Sequence, residues 1–287
     1  MSDLPRFLAH PLLRAALAVT GLGLCALGVT RFALGQRLPP DRCPAGMALV
    51  GQRCCGAGQL FRDGACAGPA QSCAETQALS RDAQCVARSA VISLTGGELF
   101  IGAADWDGAS DAERFPRTRV GAFRLDAAEV TLERWRGCAT CRPLPGAAGL
   151  PVTGVTAEQA DAFCRGQRGR LPTGAEWVWA AAGSAARRYP WGNSGLVCRR
   201  AAFGLDRGPC AELHAPELAG SRPDGATPEG VLDLAGNVAE WTRDPAGGYT
   251  ARGGSFHATS AAELKSWAVL PDRDQAPYIG FRCAYPL

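Results

Sequence analysis

The sequence predicts an α+β domain with little regular secondary structure, preceded by a cysteine-rich neck and an N-terminal apolar segment. Two observations favour this class. After residue 89 the chain holds two capping-box helix starts among many short apolar runs, and glycine and proline punctuate those runs throughout. We divide the chain into residues 1–36 (membrane anchor or signal peptide), 37–88 (neck) and 89–287 (large domain).

The formal net charge of the chain is +3. Residues 1–42 hold five arginines against Asp3 and Asp41, which accounts for the whole excess. The remainder is therefore balanced, and nothing in it favours a nucleic-acid partner.

An apolar run from Ala15 to Thr30 lies between Arg14 and Arg31. It is short for a membrane span, although the flanking arginines could extend it to 12–34. Alternatively it is the core of a signal peptide cleaved near 33–35. Twelve cysteines follow Cys25, and an even number in an exported chain predicts disulfides in an oxidising compartment. We expect either a single-pass membrane protein with its bulk outside the cytoplasm or a secreted or periplasmic protein.

The neck contains half of these twelve cysteines in a segment too poor in large apolar residues to form its own core. Their spacing suggests three small hairpins in tandem. Fifteen pairings are open, of which we favour closure within each repeat, over residues 43–54, 55–66 and 73–85. A zinc site is less favoured because the segment has no histidine. The neck is then a spacer between membrane and domain, or alternatively a ligand-binding element. The cysteines are Cys43, Cys54, Cys55, Cys66, Cys73 and Cys85.

The large domain opens with two predicted strands, Ala90–Leu94 and Glu98–Gly102, around a turn at 95–97. An acidic loop follows at 105–113, which we interpret as solvated. Thr131 is a candidate N-cap for a short helix through Arg136.

The next cysteines predict local disulfides. Cys138 and Cys141 form a C-x-x-C pair, which can be a redox motif. No thioredoxin-like βαβ pattern surrounds the pair, so a structural disulfide is favoured. We also pair Cys198 with Cys210.

Two capping boxes define the main helices. Thr156 to Gln159 starts a helix that places Phe163 and Cys164 on one face. Thr173 to Glu176 starts a second helix that carries Trp177 and ends near Gly183.

The block Gly230–Trp241 combines a Gly-Asn turn with a carboxylate on each side, Asp233 and Glu240. Hard oxygen ligands around a bent backbone suit calcium. The alternative from spacing alone is a turn with two solvated acids.

Five motifs together resemble the formylglycine-generating enzyme (sulfatase-modifying factor) family over residues 89–287. The resemblance implies that family's fold, which is C-type-lectin-like with little regular structure. The motifs are Arg170–Trp177, Tyr189–Asn193, Gly230–Trp241, Arg252–Phe256 and Gly280–Cys283.

The resemblance also bears on chemistry. Family enzymes oxidise a cysteine to formylglycine with copper(I) held by two thiolates. Those positions correspond here to Ala258 and Glu263, so the resemblance implies no catalytic residue and no copper. It implies a groove near Arg252, Ser255 and His257.

Two further family features map onto this chain. One is a disulfide between Cys164 and Cys283. The other is a structural Ca²⁺ site, whose ligands would be Asp233, Gly236, Val238 and Glu240.

The function expected from the sequence is a non-catalytic binding or scaffold module that takes a peptide or an envelope protein as its partner. A structural subunit of an envelope assembly is a related reading. The alternative is a formylglycine-generating-type or non-haem-iron oxidoreductase with unrecognised metal ligands. Only His10, His214 and His257 are available for iron, which is a poor set.

Overall fold

The computed structural model describes residues 43, 47–74, 77–80, 83–101, 115–195, 198–204, 215–270 and 274–287. The chain divides into two compact units, Met1–Pro39 and Pro40–Leu287, and every described residue belongs to the second. The predicted N-terminal segment and the acidic loop at 105–113 lie outside the described residues. Within the described ranges, no helix has the length and apolar character needed to cross a bilayer.

The neck consists of three antiparallel hairpins, as its cysteine spacing predicts. The disulfides are Cys43–Cys54, Cys55–Cys66 and Cys73–Cys85, which confirms closure within each cysteine repeat. Cys55 lies in β2 and Cys66 in β4, so the second disulfide joins the first hairpin to the second. A small cluster around Ala48, Cys55 and Leu79 is the only apolar core between them in the described part of the neck. The strands are β1 (Met47–Val50), β2 (Arg53–Gly56), β3 (Leu60–Arg62), β4 (Ala65–Ala67), β5 (Gln77–Leu79) and β6 (Cys85–Ala87).

The two strands predicted at the start of the large domain are present as β7 (Val91–Leu94) and β8 (Gly97–Ile101). They do not pair with each other. β7 pairs with β10 (Phe123–Asp126), and β8 pairs with β9 (Phe115–Val120), both antiparallel. The residues between them therefore carry the chain from one sheet to the next. Gly96 allows this crossing, because a Cβ there would lie 2.2 Å from the Val120 carbonyl oxygen.

The three predicted helices are confirmed as α1 (Leu132–Arg136), α2 (Ala157–Gly166) and α3 (Gly174–Ala182). Thr131 caps α1, and both capping boxes form with reciprocal hydrogen bonds at Thr156 and Thr173. α3 ends at Gly183, whose φ of 62° suits glycine.

The second half of the domain is held by a four-stranded sheet of order β13-β12-β11-β14. β11 lies at its centre, antiparallel to β12 and parallel to β14. A three-stranded sheet, β15-β10-β7, brings the C-terminus back to the start of the domain. The remaining strands are β11 (Ala239–Arg243), β12 (Tyr249–Arg252), β13 (Val269–Leu270), β14 (Ile279–Gly280) and β15 (Ala284–Tyr285).

Disulfides fasten the large domain at two described places. Cys164 on α2 is bonded to Cys283 beside β15, and both are fully buried, which agrees with the pairing that the resemblance implies. Cys138 is bonded to Cys141. Cys198 is disulfide-bonded as well, but its predicted partner Cys210 lies outside the described residues, so that pairing stays a prediction.

Candidate functional site

The Gly230–Trp241 block is a tight loop that leads directly into β11. Asp233 and Asn237 adopt positive φ angles of 55° and 56°, and Gly236 lies between them at 81°. A Cβ at Gly236 would come within 2.2 Å of the Ala202 carbonyl oxygen, so the residue has to be glycine. The loop is thus folded back on itself with its acidic side chains turned inward.

Glu240 lies in β11 and is fully buried. Its carboxylate accepts two hydrogen bonds from Arg282, at 2.7 Å from Nε and 2.6 Å from Nη2. Trp177 Nε1 on α3 donates a third at 2.7 Å. Arg282 itself is 0% exposed and also donates to the Leu232 carbonyl oxygen at 2.7 Å. Three of the five sequence motifs therefore meet at one buried ion pair.

Asp233 faces the same interior region. Its Oδ2 accepts a hydrogen bond from the Gly220 backbone N–H. Burial raises the pKa of Asp233, and the hydrogen bonds it receives from Glu129 and Gly220 act in the opposite direction. The two carboxylates that the sequence predicted as calcium ligands thus belong to one buried cluster.

Glu129 is a member of this cluster that the sequence analysis missed. It is 1% exposed, and its Oε1 accepts a hydrogen bond from Asn237 Nδ2 at 3.0 Å. Burial, followed by the charges of Asp233 and Glu240, raises the pKa of Glu129 well above its usual range. Its Oε2 is buried with no hydrogen-bond donor among the described residues. The sequence feature that could have identified Glu129 as a buried acid is its position as the single acid in the short apolar run 127–130.

Asp233 and Glu129 present carboxylate oxygens, which are the type of ligand that hard cations prefer. Three buried carboxylates face two guanidinium groups, Arg282 and Arg88, so a proton on Glu129 or a bound cation must offset the remaining charge. Both oxygens of Glu240 are already held by Arg282, so Glu240 is less available than predicted. Among the described residues, no group of three or more acidic, histidine or cysteine side chains is placed to hold a metal ion. Any calcium here would therefore need backbone carbonyls as additional ligands.

Ala258 and Glu263, which the resemblance places at the copper-cysteine positions of the family, have structural roles here. Ala258 is 1% exposed and packs in an apolar cluster with Phe203 and Leu264. Glu263 accepts hydrogen bonds from the backbone N–H groups of Thr259 (3.1 Å) and Ser260 (2.9 Å), which caps the 3₁₀ helix Ala261–Leu264. Neither position offers a soft ligand, since one side chain is aliphatic and the other is a carboxylate engaged with backbone donors.

The three predicted groove residues differ in accessibility. Arg252 is buried beneath α3, and desolvation lowers its pKa to about 10. Ser255 is also buried, and its Oγ accepts a hydrogen bond from the His257 N–H at 3.1 Å. His257 is exposed, with its ring 5.4 Å from that of Tyr278. Of the three predicted groove residues, His257 is therefore the one that the structure places at the surface. The other two histidines considered for iron, His10 and His214, lie outside the described residues.

Comparison with known proteins identifies the family of this chain. A family model described as "Sulfatase-modifying factor enzyme 1-like domain" matches residues 76–287. The chain belongs to this family. The match begins inside the third hairpin of the neck, whereas the boundary predicted from sequence is at residue 89.

Several members of the sulfatase-modifying factor family are similar to this chain. Hercynine oxygenase of Mycolicibacterium smegmatis is 30% identical over 52% of this chain and 36% of its own length. Inactive C-alpha-formylglycine-generating enzyme 2 of Mus musculus is 33% identical over 47% of this chain and 49% of its own. This chain thus spans about a third to a half of the length of these curated relatives.

A solved structure supports the fold. Treponema denticola variable protein 1 superposes with a TM-score of 0.53 at 21% identity, covering 69% of this chain and 95% of that one. At this identity the likeness concerns the fold alone. The predicted formylglycine-generating-enzyme-like fold is confirmed by the family match and the architecture together.

Proposed function

We propose that this chain is a non-catalytic binding or scaffold module of the sulfatase-modifying factor family, with a peptide or another envelope protein as its partner. One observation carries the proposal: Ala258 packs in an apolar cluster and Glu263 caps a 3₁₀ helix, and these are the residues that the resemblance places at the copper-ligand positions. Copper(I) requires soft ligands, and neither an aliphatic side chain nor a carboxylate provides one. A fold can persist without the chemistry of its relatives, so function has to be argued from the site.

The compartment follows from the cysteines. The disulfides of the described residues indicate a domain outside the cytoplasm. We further propose that the N-terminal apolar segment holds the chain at the membrane as a single-pass anchor. The alternative is a cleaved signal peptide, which intact mass of the purified protein distinguishes.

A structural calcium ion is also part of the proposal. Asp233 and Glu129 Oε2 would hold it together with the Gly236 and Val238 carbonyls, and Glu240, whose two oxygens both accept hydrogen bonds from Arg282, would be a weaker ligand. Bound calcium stabilises a fold by mass action. Chelator should lower the melting temperature, and added calcium should restore it.

Matched variants sharpen the calcium test. Asp233→Asn and Glu129→Gln should weaken the response to calcium, whereas Glu158→Gln, at an exposed helix position, should leave it unchanged. Because both oxygens of Glu240 already bind Arg282, Glu240→Gln should weaken the response less than Asp233→Asn. A melting temperature indifferent to chelator and calcium would contradict the site.

A second candidate is an oxidoreductase with unrecognised metal ligands, which the exposed position of His257 favours. The similarity to a hercynine oxygenase is consistent with this reading. Metal analysis of the purified full-length chain separates the two functions. We expect copper and iron below stoichiometric amounts, and one equivalent of either metal would favour the enzyme.

A further inference from the structure

A cavity of about 840 Å³ lies between the neck and the large domain. Its apolar walls come from both parts, with Met47 and Leu79 on the neck and Leu150 and Leu218 on the domain. The volume is in the range of small-molecule sites, which are mostly apolar with a few polar groups. Positions 258 and 263 do not line this cavity, whereas Gly220 in its wall donates a hydrogen bond to the buried Asp233, so the cavity adjoins the carboxylate cluster.

The neck is docked on the domain at this place. The Leu49 N–H in β1 donates a hydrogen bond to Asp224 Oδ1 at 3.1 Å. Ala78 of β5 is buried in an apolar cluster with Ala219 and Leu232 of the domain. A Cβ at Gly220 would lie 2.7 Å from the Ala78 methyl group, so only glycine permits this contact. The cavity is therefore a feature of the described neck and domain together.

The charged residues that line the cavity are three arginines and two acids. Each acid is paired with an arginine: Glu217 accepts a hydrogen bond from Arg222 Nε at 2.7 Å, and Asp224 lies 3.4 Å from Arg199 Nε. The third arginine is Arg88. Arg88 interacts with the buried carboxylates Asp233 and Glu129, so the preference of the cavity for an anionic ligand rests on Arg222.

Arg222 supplies the specific recognition element. It is 6% exposed, and Glu217 occupies its Nε and Nη2. Its Nη1 is buried with no acceptor among the described residues. A buried donor without an acceptor is unfavourable, and a carboxylate is a strong acceptor for a guanidinium N–H. A ligand carboxylate would satisfy this donor.

We propose that the cavity between the neck and the domain binds a carboxylate carried on an apolar body. Arg222 recognises the carboxylate, and the apolar walls around Leu79, Leu150 and Leu218 hold the body. A medium-chain fatty acid and the apolar C-terminus of a peptide share this chemistry. The inference is independent of the proposed lack of catalysis, because it concerns a different set of residues.

Titration calorimetry on the full-length chain tests the site with two probes. Octanoate represents the fatty acid, and N-acetyl-leucyl-leucine represents the peptide terminus. Each is compared with its uncharged amide, and each acid is expected to bind roughly tenfold or more tightly than its amide. The tighter of the two acids identifies the source of the ligand. Failure of both acids to bind, or equal binding of acid and amide, would overturn the proposal.

Variants assign the binding to this cavity. Arg222→Lys keeps a charge opposite Glu217 but removes the planar fork, and should weaken acid binding roughly tenfold while leaving the amide unchanged. Arg243→Lys is the matched control, since Arg243 is exposed and outside the cavity. Leu218→Ser should weaken the binding of the acid and of the amide alike. Because Leu218 is 41% exposed, this variant should fold, and it tests the site even if Arg222→Lys does not fold. Wild-type affinity in both variants would contradict the assignment.

Discussion

Arg282 and Glu240 form the ion pair on which the buried part of the domain depends. Their side chains are 0% and 1% exposed, so breaking the pair removes two charge-assisted hydrogen bonds from the interior of the protein. We predict that Glu240→Gln lowers the free energy of unfolding by about 3 kcal/mol, measured by urea denaturation. Glu98→Gln is the control, because its pair with Arg117 is exposed on both sides and should change stability by no more than about 0.5 kcal/mol. Equal decreases in the free energy of unfolding of the two variants would show that the buried ion pair stabilises the fold no more than the exposed one.

At the same scale, some site residues were predictable and others were not. Asp233 and Glu240 could be found because they flank a Gly-Asn turn in one short block. Glu129 could not, because it lies more than a hundred residues earlier and reaches the cluster only through the folded backbone. The ion pair between Arg282 and Glu240 was missed for the same reason, because nothing in the sequence near Glu240 indicates that Arg282 is its partner.

At the scale of elements, helices were predicted well because their signals are local. A capping box needs only four consecutive residues, and both boxes form as expected. Strand pairing is not local, so the sequence located β7 and β8 but gave no indication that each would pair in a different sheet. Access to the groove was equally hidden, since burial of Arg252 and Ser255 depends on elements that pack over them from elsewhere in the chain.

The α3 capping box offers a test at this scale. The Thr173 hydroxyl accepts a hydrogen bond from the Glu176 N–H at 3.2 Å, and α3 in turn places Trp177 against Glu240. We expect Thr173→Ala to lower the free energy of unfolding by about 1 kcal/mol, measured by urea denaturation. Thr173→Ser keeps the hydroxyl and should restore most of the loss. A serine variant as unstable as the alanine variant would show that the cap is not the cause.

At the scale of the whole molecule, the disulfides should contribute according to the loops they close. Cys164–Cys283 spans a sequence separation of 119 residues, against 3 for Cys138–Cys141. Loop-closure entropy then predicts a loss of about 5 kcal/mol when both members of the first pair become alanine and about 2 kcal/mol for the second. Denaturation of the two double variants without reductant measures both. The opposite order of stability would contradict an entropic role for the long loop.

We propose that this family member has lost copper-dependent oxidation and retains the fold for binding. It is tested most directly by incubating the copper-loaded full-length chain with a sulfatase-type cysteine peptide under oxygen and following the peptide by mass spectrometry. Because Ala258 and Glu263 provide no thiolate pair, and Cys283 is bonded to Cys164, we predict no aldehyde above a control with copper alone. A formylglycine-generating enzyme assayed in parallel should convert the same peptide. Aldehyde formation by this chain above the metal-only control would contradict the account.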